Sequence, residues 1–249
     1  MSALPEFLVF ALVGAAAQLV DCALGMAYGV TSASLLLGLG MPPVMASASV
    51  HYAETFTCGA SGLSHLWAGN VRWRLFLSLA IPGVMAALLG VWLVVHIPGS
   101  WMRIAITPYL LGMGLFLLFR RSKHAGERTE PPRGTPVLGA VAGFLDAVSG
   151  GGWSALTATA LLARGLQPRV VIGSVHLAKC VVSTAASAAF LLSIGAGHVV
   201  AVLGLIAGGV LAAPFGAIFI RRIPARTATL LAGLAVLALG IRNVVRILH

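Results

Sequence analysis

The eleven residues 143–153, GFLDAVSGGGW, place an aspartate and a run of glycines inside an otherwise apolar segment. A related arrangement stands 125 residues earlier, where Asp21 precedes Gly25 by four positions, as Asp146 precedes Gly150. Because glycine lets the backbone leave helical geometry at little steric cost, both segments are expected to break here. A break that occurs twice at a fixed distance predicts a chain made of two related halves.

The correspondence continues on both sides of the breaks. Without a gap, the offset of 125 residues aligns polar residues and prolines of the two halves: Tyr28 with Trp153, Pro43 with Pro168, Ser49 with Ser174, His51 with His176 and Glu54 with Lys179. An offset of 126 continues the match, with Gly83 on Gly209, Gly90 on Gly216 and Pro98 on Pro224. Ungapped recurrence of such residues in a strongly apolar sequence indicates internal duplication.

The composition argues against a soluble domain. Of the 249 residues, 59% are hydrophobic and 9% are charged, and the mean hydropathy is +1.00. Soluble domains carry about 25% charged residues. Stretches of roughly 20 apolar residues, the length of a membrane-spanning helix, recur along the whole chain. The sequence therefore predicts an all-α polytopic membrane protein.

Eight apolar segments are expected, at residues 5–37, 44–68, 75–96, 101–119, 136–163, 169–193, 198–220 and 226–247. Between the fourth and the fifth lies a hydrophilic stretch with five Lys or Arg, two Glu and three Pro residues, which is typical of an exposed linker. The predicted organisation is a first membrane repeat (1–121), a cytoplasmic linker (122–135) and a second membrane repeat (136–249).

The basic residues predict the orientation of the chain in the membrane. If each half is a re-entrant or broken helical hairpin followed by three spanning helices, 12 of the 16 Lys and Arg residues fall on one side. Basic loops mark the cytoplasmic side, so the net charge of +10 is an orientation signal and no nucleic-acid partner is expected. Three crossings per half reverse the second repeat, which predicts two inverted repeats with both termini outside.

The two breaks bring acidic residues to bilayer depth. Asp21 and Asp146 are costly there, and an acid within the membrane usually marks a functional site. Half-helices that start at such breaks present free N–H groups and the positive ends of their dipoles, which favours an anion. The glycines alone have a second explanation, because small residues also let membrane helices pack closely.

The segments Ser49-Val-His51-Tyr-Ala-Glu54 and Ser174-Val-His176-Leu-Ala-Lys179 form a second matched pair, within segments that are expected to span. Residues three apart share a helix face, so each His lies on the same face as an ionisable neighbour. The pair predicts a polar cavity at the interface between the repeats. A purely structural salt bridge between Glu54 and Lys179 is the alternative.

Candidate roles follow from the chemistry of the side chains. Lys179 would attract an anion, while hydroxyls (Thr31 among them), imidazoles and an indole would donate hydrogen bonds. The predicted substrate-binding residues are Gly25, Tyr28, Ser49, His51, Gly150, Gly151, Gly152, Trp153, Ser174, His176 and Lys179. Asp21, Glu54 and Asp146 are the candidates for proton coupling, because a carboxyl group in apolar surroundings can carry a proton.

At these motifs the chain resembles the TauE/SafE family of sulfite and organosulfonate exporters. The resemblance rests on the duplicated architecture, the glycine cluster 149–153, its counterpart 25–29, and the Ser-Val-His segments that follow Pro43 and Pro168. The turn at 69–73, GNVRW, also looks like a turn of that family, with Arg72 where Asp is common. Lys179 departs from the pattern, since relatives often carry an acid or a neutral residue there.

The resemblance implies a secondary transporter, an exporter, of a small sulfur-containing anion such as sulfite, thiosulfate or an organosulfonate. It implies no enzyme activity, ATP, metal or other cofactor, and a location in a prokaryotic inner membrane. The residues add the expectation of proton coupling and of a central site at the repeat interface. The expected partners are the anion and the lipid bilayer, and a homodimer is left open.

Two other functions are weighed against anion transport. A divalent metal-ion transporter would use His51, His176, Asp21 and Asp146, but Lys179 and the surplus of hydrogen-bond donors argue against it. The three cysteines offer no CxxC spacing. An intramembrane enzyme with His51 and Glu54 as acid and base has no supporting HExxH or GxSxG motif.

Overall fold

The computed structural model describes residues 3–24, 27–119, 127–219 and 225–248, and the regular elements within these ranges are helices. There are ten of them: α1 Ala3–Leu24, α2 Tyr28–Gly38, α3 Pro43–Trp67, α4 Trp73–His96, α5 Gly99–Phe119, α6 Thr135–Ser149, α7 Trp153–Ala163, α8 Pro168–Ile194, α9 Val199–Phe219 and α10 Ala225–Leu248. The predicted all-α class is therefore confirmed. Gly25 lies outside the described residues.

Two of the eight apolar segments contain two helices each, with the break at the predicted place. The first segment divides into α1 and α2, and the fifth divides into α6 and α7. Gly150 ends α6 at φ 81° and Gly152 precedes α7 at φ 125°. Side chains are strained at such positive φ values, so glycine makes this break possible.

Among the described residues, three helices are long and apolar enough to cross a membrane: Leu4–Asp21 within α1, Trp73–His96 and Pro168–Ile194. The outer surface of the bundle is also apolar. Leu12 is 72% exposed and Leu192 is 88% exposed, and many other large apolar side chains share that surface. An apolar surface of this extent is unfavourable in water and favourable against lipid tails.

Prolines fix where the repeat-equivalent helices α3 and α8 begin. Pro43 and Pro168 each stand in the first turn, where the missing N–H has no intrahelical partner to lose. His51 and His176 each follow eight residues later, about 12 Å along the helix axis. The matched prolines therefore set the two histidines at matching depth in their helices.

Helices from different halves pack together in equivalent pairs. Gly14 of α1 lies against Leu205 of α9, and Gly139 of α6 lies against Leu79 of α4. The offset from Gly14 to Gly139 is 125 residues and that from Leu79 to Leu205 is 126 residues. The two offsets found in the sequence thus also relate these contacts between helices.

The equivalent helices α3 and α8 run in opposite directions where they pack. Gly59 lies against Cys180 and Gly62 lies against Leu177. As the residue numbers increase along α3, those of the contacting residues on α8 therefore decrease. Helices α5 and α10 also cross in this sense, with Leu111 against Gly240 and Leu118 against Gly233. Both pairs of repeat-equivalent helices therefore pack antiparallel.

The described part of the linker contacts two basic loops. The Arg128 N–H donates to the Gly165 carbonyl (3.2 Å), and its own carbonyl accepts from the Gln167 N–H (2.8 Å). The Glu130 carboxylate binds Arg72 and also lies 3.6 Å from an Arg74 nitrogen. The hydrogen bond from Arg72 lowers the pKa of Glu130. Three loops that the charge pattern assigns to one side are therefore in contact.

Candidate functional site

Asp21 and Asp146 have the same role at the two breaks. Asp21 Oδ1 accepts hydrogen bonds from the N–H groups of Ala27 (2.7 Å) and Tyr28 (3.0 Å), and Asp146 Oδ1 accepts one from the Trp153 N–H (3.0 Å). Each carboxylate caps the helix that follows its break, where N–H groups lack intrahelical partners. Three N–H groups at the breaks, where an anion was expected, thus donate to these carboxylates.

The glycines of the two breaks allow the breaks to touch. A Cβ added to Gly151 would overlap the carbonyl carbon of Gly29, and a Cβ added to Gly152 would overlap the Tyr109 hydroxyl. Gly150 is also closely packed: an added Cβ would lie 3.0 Å from the Ala33 Cβ and 3.1 Å from the Ser47 Cα. Close packing, the second explanation drawn from the sequence, therefore accounts for Gly150 and Gly151.

Four ionisable side chains form a buried group, here called the charge cluster: His51 and Glu54 of α3, Asp146 of α6 and Lys179 of α8. Lys179 Nζ lies 2.7 Å from Glu54 Oε2 and 2.5 Å from Asp146 Oδ2. His51 Nδ1 lies 3.7 Å from the same Glu54 oxygen, and His51 Nε2 lies 3.9 Å from the same Asp146 oxygen. None of the four side chains is more than 3% exposed. The salt bridge left open as an alternative is thus formed, and Asp146 joins it.

A cavity of about 100 Å³ lies beside the charge cluster. Six of the predicted site residues line it: Asp21, Tyr28, Glu54, Gly152, His176 and Lys179. They come from both halves of the chain, and Lys179 is the only Lys or Arg among the described residues of the wall. Glu54 and Lys179 therefore belong both to the charge cluster and to the cavity wall.

The other predicted residues that the structure describes do not line the cavity. Ser174 Oγ accepts a hydrogen bond from the Arg72 N–H (2.9 Å), which ties α8 to the start of α4. The Trp153 indole donates to the Val175 carbonyl (3.2 Å). The hydroxyl of Ser49 is buried, with no hydrogen-bond partner among the described residues. The indole that was expected to donate a hydrogen bond to a ligand thus donates it to the protein backbone.

Sequence reasoning missed six residues of the wall: Gln18, Gly29, Thr57, Cys58, Ser61 and Ser154. Three of them follow Glu54 by three, four and seven positions, which is the spacing of one helix face. Gln18 precedes Asp21 by three positions on α1. Helical periodicity from the acidic residues would have identified these four, whereas a search restricted to repeat-matched positions does not.

The two repeat-equivalent histidines have different surroundings. His176 lines the cavity, and its Nδ1 lies 2.8 Å from Ser61 Oγ. The position equivalent to Ser61 in the second half is Ala186, which has no hydroxyl. Neither nitrogen of His51 has a hydrogen-bond partner among the residues that the structure describes.

The charge cluster also contains a set of atoms of the kind that bind metals. His51, Glu54 and Asp146 place ligand atoms within 4.8 Å of one another. The ammonium of Lys179 binds both carboxylates, so it occupies the place where a cation would be attracted. Asp21 and His176, which the metal alternative also needs, stand in the cavity wall rather than with these three.

Comparison with known proteins gives one family and one relative. The family described as "Sulfite exporter TauE/SafE" matches residues 10–243. A protein of Bacillus subtilis (strain 168) named "Probable membrane transporter protein YtnM" is 40% identical over 249 residues, covering 96% of this chain and 83% of its own length. No solved structure matches the chain.

Proposed function

This chain belongs to the sulfite exporter TauE/SafE family, and on that premise we propose that it is a secondary transporter, in the export direction, of a small sulfur-containing anion. The family predicted from the glycine clusters and the Ser-Val-His segments is thereby confirmed, and the protein is a multi-pass membrane transporter. Sulfite, thiosulfate and small organosulfonates are the proposed substrates, and a prokaryotic inner membrane is the proposed location.

The observation that carries the proposal is the position of Lys179 in the cavity wall. Its ammonium is held beside a cavity of about 100 Å³, a volume suited to an anion of few heavy atoms. Thr57, Ser61 and Ser154 add hydroxyl groups to the same wall. A cation surrounded by hydrogen-bond donors is the chemistry that recognises an oxyanion, because charge-assisted hydrogen bonds are the strong ones.

We place this site between two inverted repeats, residues 1–121 and 136–249. The antiparallel packing of α3 on α8 and of α5 on α10 supports this division, as do the equivalent contacts of α1 with α9 and of α6 with α4. Transporters built from inverted repeats bind their substrates near the midplane, where the repeats meet. Movement of one repeat against the other would then expose the cavity to each side in turn.

Anion binding requires Lys179 to exchange a carboxylate for the ligand. Glu54 and Asp146 both hold its ammonium, so two negative charges compete with any anion for one positive charge. A proton that enters this group removes part of that competition. Proton coupling, for which Glu54, Asp146 and the cavity residue Asp21 are the proposed carboxyl groups, thus has a physical basis.

The test is flux through the purified protein in liposomes. Sulfite, thiosulfate, sulfoacetate and sulfate are compared, each with and without a pH gradient across the membrane. Saturable movement of at least one sulfur anion, absent from protein-free liposomes, is expected. If none of these anions moves while Zn²⁺ or Mn²⁺ does, the metal alternative replaces this proposal.

A further inference from the structure

His51 is a buried polar side chain whose ring nitrogens lack hydrogen bonds in the described structure. Its exposed fraction is 0%, and neither ring nitrogen has a hydrogen-bond partner among the described residues. A neutral imidazole carries one donor and one acceptor, and buried groups of this kind are normally paired. A buried imidazole without partners beside the cavity therefore points to a second state of the protein, in which its nitrogens form hydrogen bonds.

The two nitrogens of His51 face the same two oxygens that hold Lys179. Glu54 Oε2 lies 3.7 Å from Nδ1 and 2.7 Å from Lys179 Nζ, and Asp146 Oδ2 lies 3.9 Å from Nε2 and 2.5 Å from Lys179 Nζ. A neutral imidazole cannot donate to both oxygens. An imidazolium can, because it carries an N–H on each nitrogen. The contacts need to shorten by about 1 Å to become charge-assisted hydrogen bonds.

We propose that His51 binds the coupled proton and that protonated His51 takes Glu54 and Asp146 over from Lys179, which frees the ammonium to bind the anion. This inference rests on the proposed function and deepens it. The proton enters from the cavity through Glu54, which lines the wall, and comes to rest on Nδ1. The imidazolium and the ammonium then exchange places as partners of the two carboxylates.

The charges that face His51 make binding of the proton and binding of the anion favour each other. They come from three helices: Glu54 of α3, Asp146 of α6 and Lys179 of α8. With neutral His51 the charge cluster holds two carboxylates and one ammonium, a sum of −1. A proton on His51 brings the sum to zero, so a divalent anion such as thiosulfate then leaves the cluster at −2 rather than −3. By linkage, the proton strengthens binding of the anion as much as the anion strengthens binding of the proton.

His176 does not share this role, although it is the repeat equivalent of His51. It lines the cavity, and Ser61 lies within hydrogen-bonding distance of its Nδ1. Phe190 closes the other side of His51 through an edge-to-face contact, with ring centroids 5.9 Å apart, and brings no charge. Of the two repeat-equivalent histidines, His176 therefore lines the cavity, whereas His51 is buried against the two carboxylates that hold Lys179.

The test compares the pH dependence of anion affinity in wild type and His51→Gln. Thiosulfate and sulfoacetate are the probes, because neither binds protons near neutral pH. The affinity of the wild type is expected to rise as the pH falls, by at most about tenfold per pH unit, the limit for one linked proton. His51→Gln should bind at every pH as weakly as the wild type does at high pH. His96→Gln, an exposed residue of α4, is the matched control and should follow the wild type.

The outcomes separate this inference from the proposed function. A pH dependence of anion affinity that is the same in His51→Gln as in the wild type overturns the role of His51. The role is also overturned if the wild type transports the anions but its affinity does not change with pH. Absence of both binding and flux removes the proposed function itself. If His51→Gln fails to fold, calorimetry of the wild type in two buffers of different ionisation enthalpy gives the number of protons taken up per anion bound. About one proton is expected, and uptake of no proton would contradict the proposal.

Discussion

Lys179 is a buried cation between two buried anions. Its ammonium binds both Glu54 and Asp146, at 2.7 Å and 2.5 Å, while neutral His51 lies 3.7–3.9 Å from the same two oxygens. A buried ion pair that loses one partner leaves an uncompensated charge, which typically costs about 3–5 kcal/mol. The lysine is therefore expected to support the fold as well as to bind the ligand, and experiments have to separate the two roles.

Lys179→Ala is expected to abolish thiosulfate binding and to lower the free energy of unfolding by about 3–5 kcal/mol. The double variant Lys179→Ala/Glu54→Gln removes one of the stranded charges, so it should recover part of the stability and none of the binding. Thermal unfolding in detergent and equilibrium binding measure the two effects. Recovery of thiosulfate binding in the double variant would show that the lysine does not hold the anion.

Glu54→Gln alone is expected to strengthen anion binding at high pH. The neutral amide competes for the Lys179 ammonium less than the carboxylate does, and a change of about 1.4 kcal/mol corresponds to tenfold in affinity. The pH dependence of binding should become shallower, because protonated His51 then has one carboxylate fewer to release from Lys179. A loss of affinity at high pH would contradict the competition between carboxylates and anion.

At the scale of elements, the glycines at the two breaks allow the start of α2 to pack against the start of α7. An added Cβ on Gly151 would overlap the backbone of Gly29, and one on Gly29 would overlap the Glu54 carboxylate and lie 3.0 Å from the Gly151 Cα. The sequence predicts the breaks, but it does not reveal that Asp21 and Asp146 turn back to cap the next helix. That contact depends on the path of the chain through the break, which composition and spacing do not determine.

Gly151→Ala is expected to destabilise the protein by about 1–3 kcal/mol, because the added methyl group overlaps the backbone of Gly29. Gly112→Ala in α5 is the matched control: an added Cβ there meets nothing within 4 Å among the described residues. The control should unfold at the wild-type temperature or slightly above it, since alanine is the better helix former. Equal unfolding temperatures for both variants would refute the packing role of Gly151.

At the scale of the whole molecule, the duplication explains what the sequence reveals about the site. Residues kept in both halves, such as the two Asp and the two His, are visible as matched pairs, and they do lie in the cavity wall or the charge cluster. Residues that occur in one half only, such as Ser61 opposite Ala186, give no such signal. The different surroundings of the two histidines arise from these unmatched positions, so only the structure reveals them.

The two inverted repeats that we propose predict which side each loop faces. A single cysteine at Thr129 in the linker is expected to react with a membrane-impermeant thiol reagent only after the membrane is opened, and a cysteine at Ser2 is expected to react in intact cells. These assays need a background in which the native cysteines have been replaced. Labelling of the linker position in intact cells would reverse the orientation derived from the basic loops.

Counterflow of labelled anion tests the central claim most directly. Proteoliposomes loaded with unlabelled thiosulfate or sulfite are diluted into a trace of the same labelled anion, and wild type is compared with Lys179→Ala/Glu54→Gln. The account predicts transient accumulation of label with the wild type and none with the double variant. Accumulation that is equal in both, or absent from the wild type for every sulfur anion, would contradict a carrier whose binding site is the ammonium of Lys179.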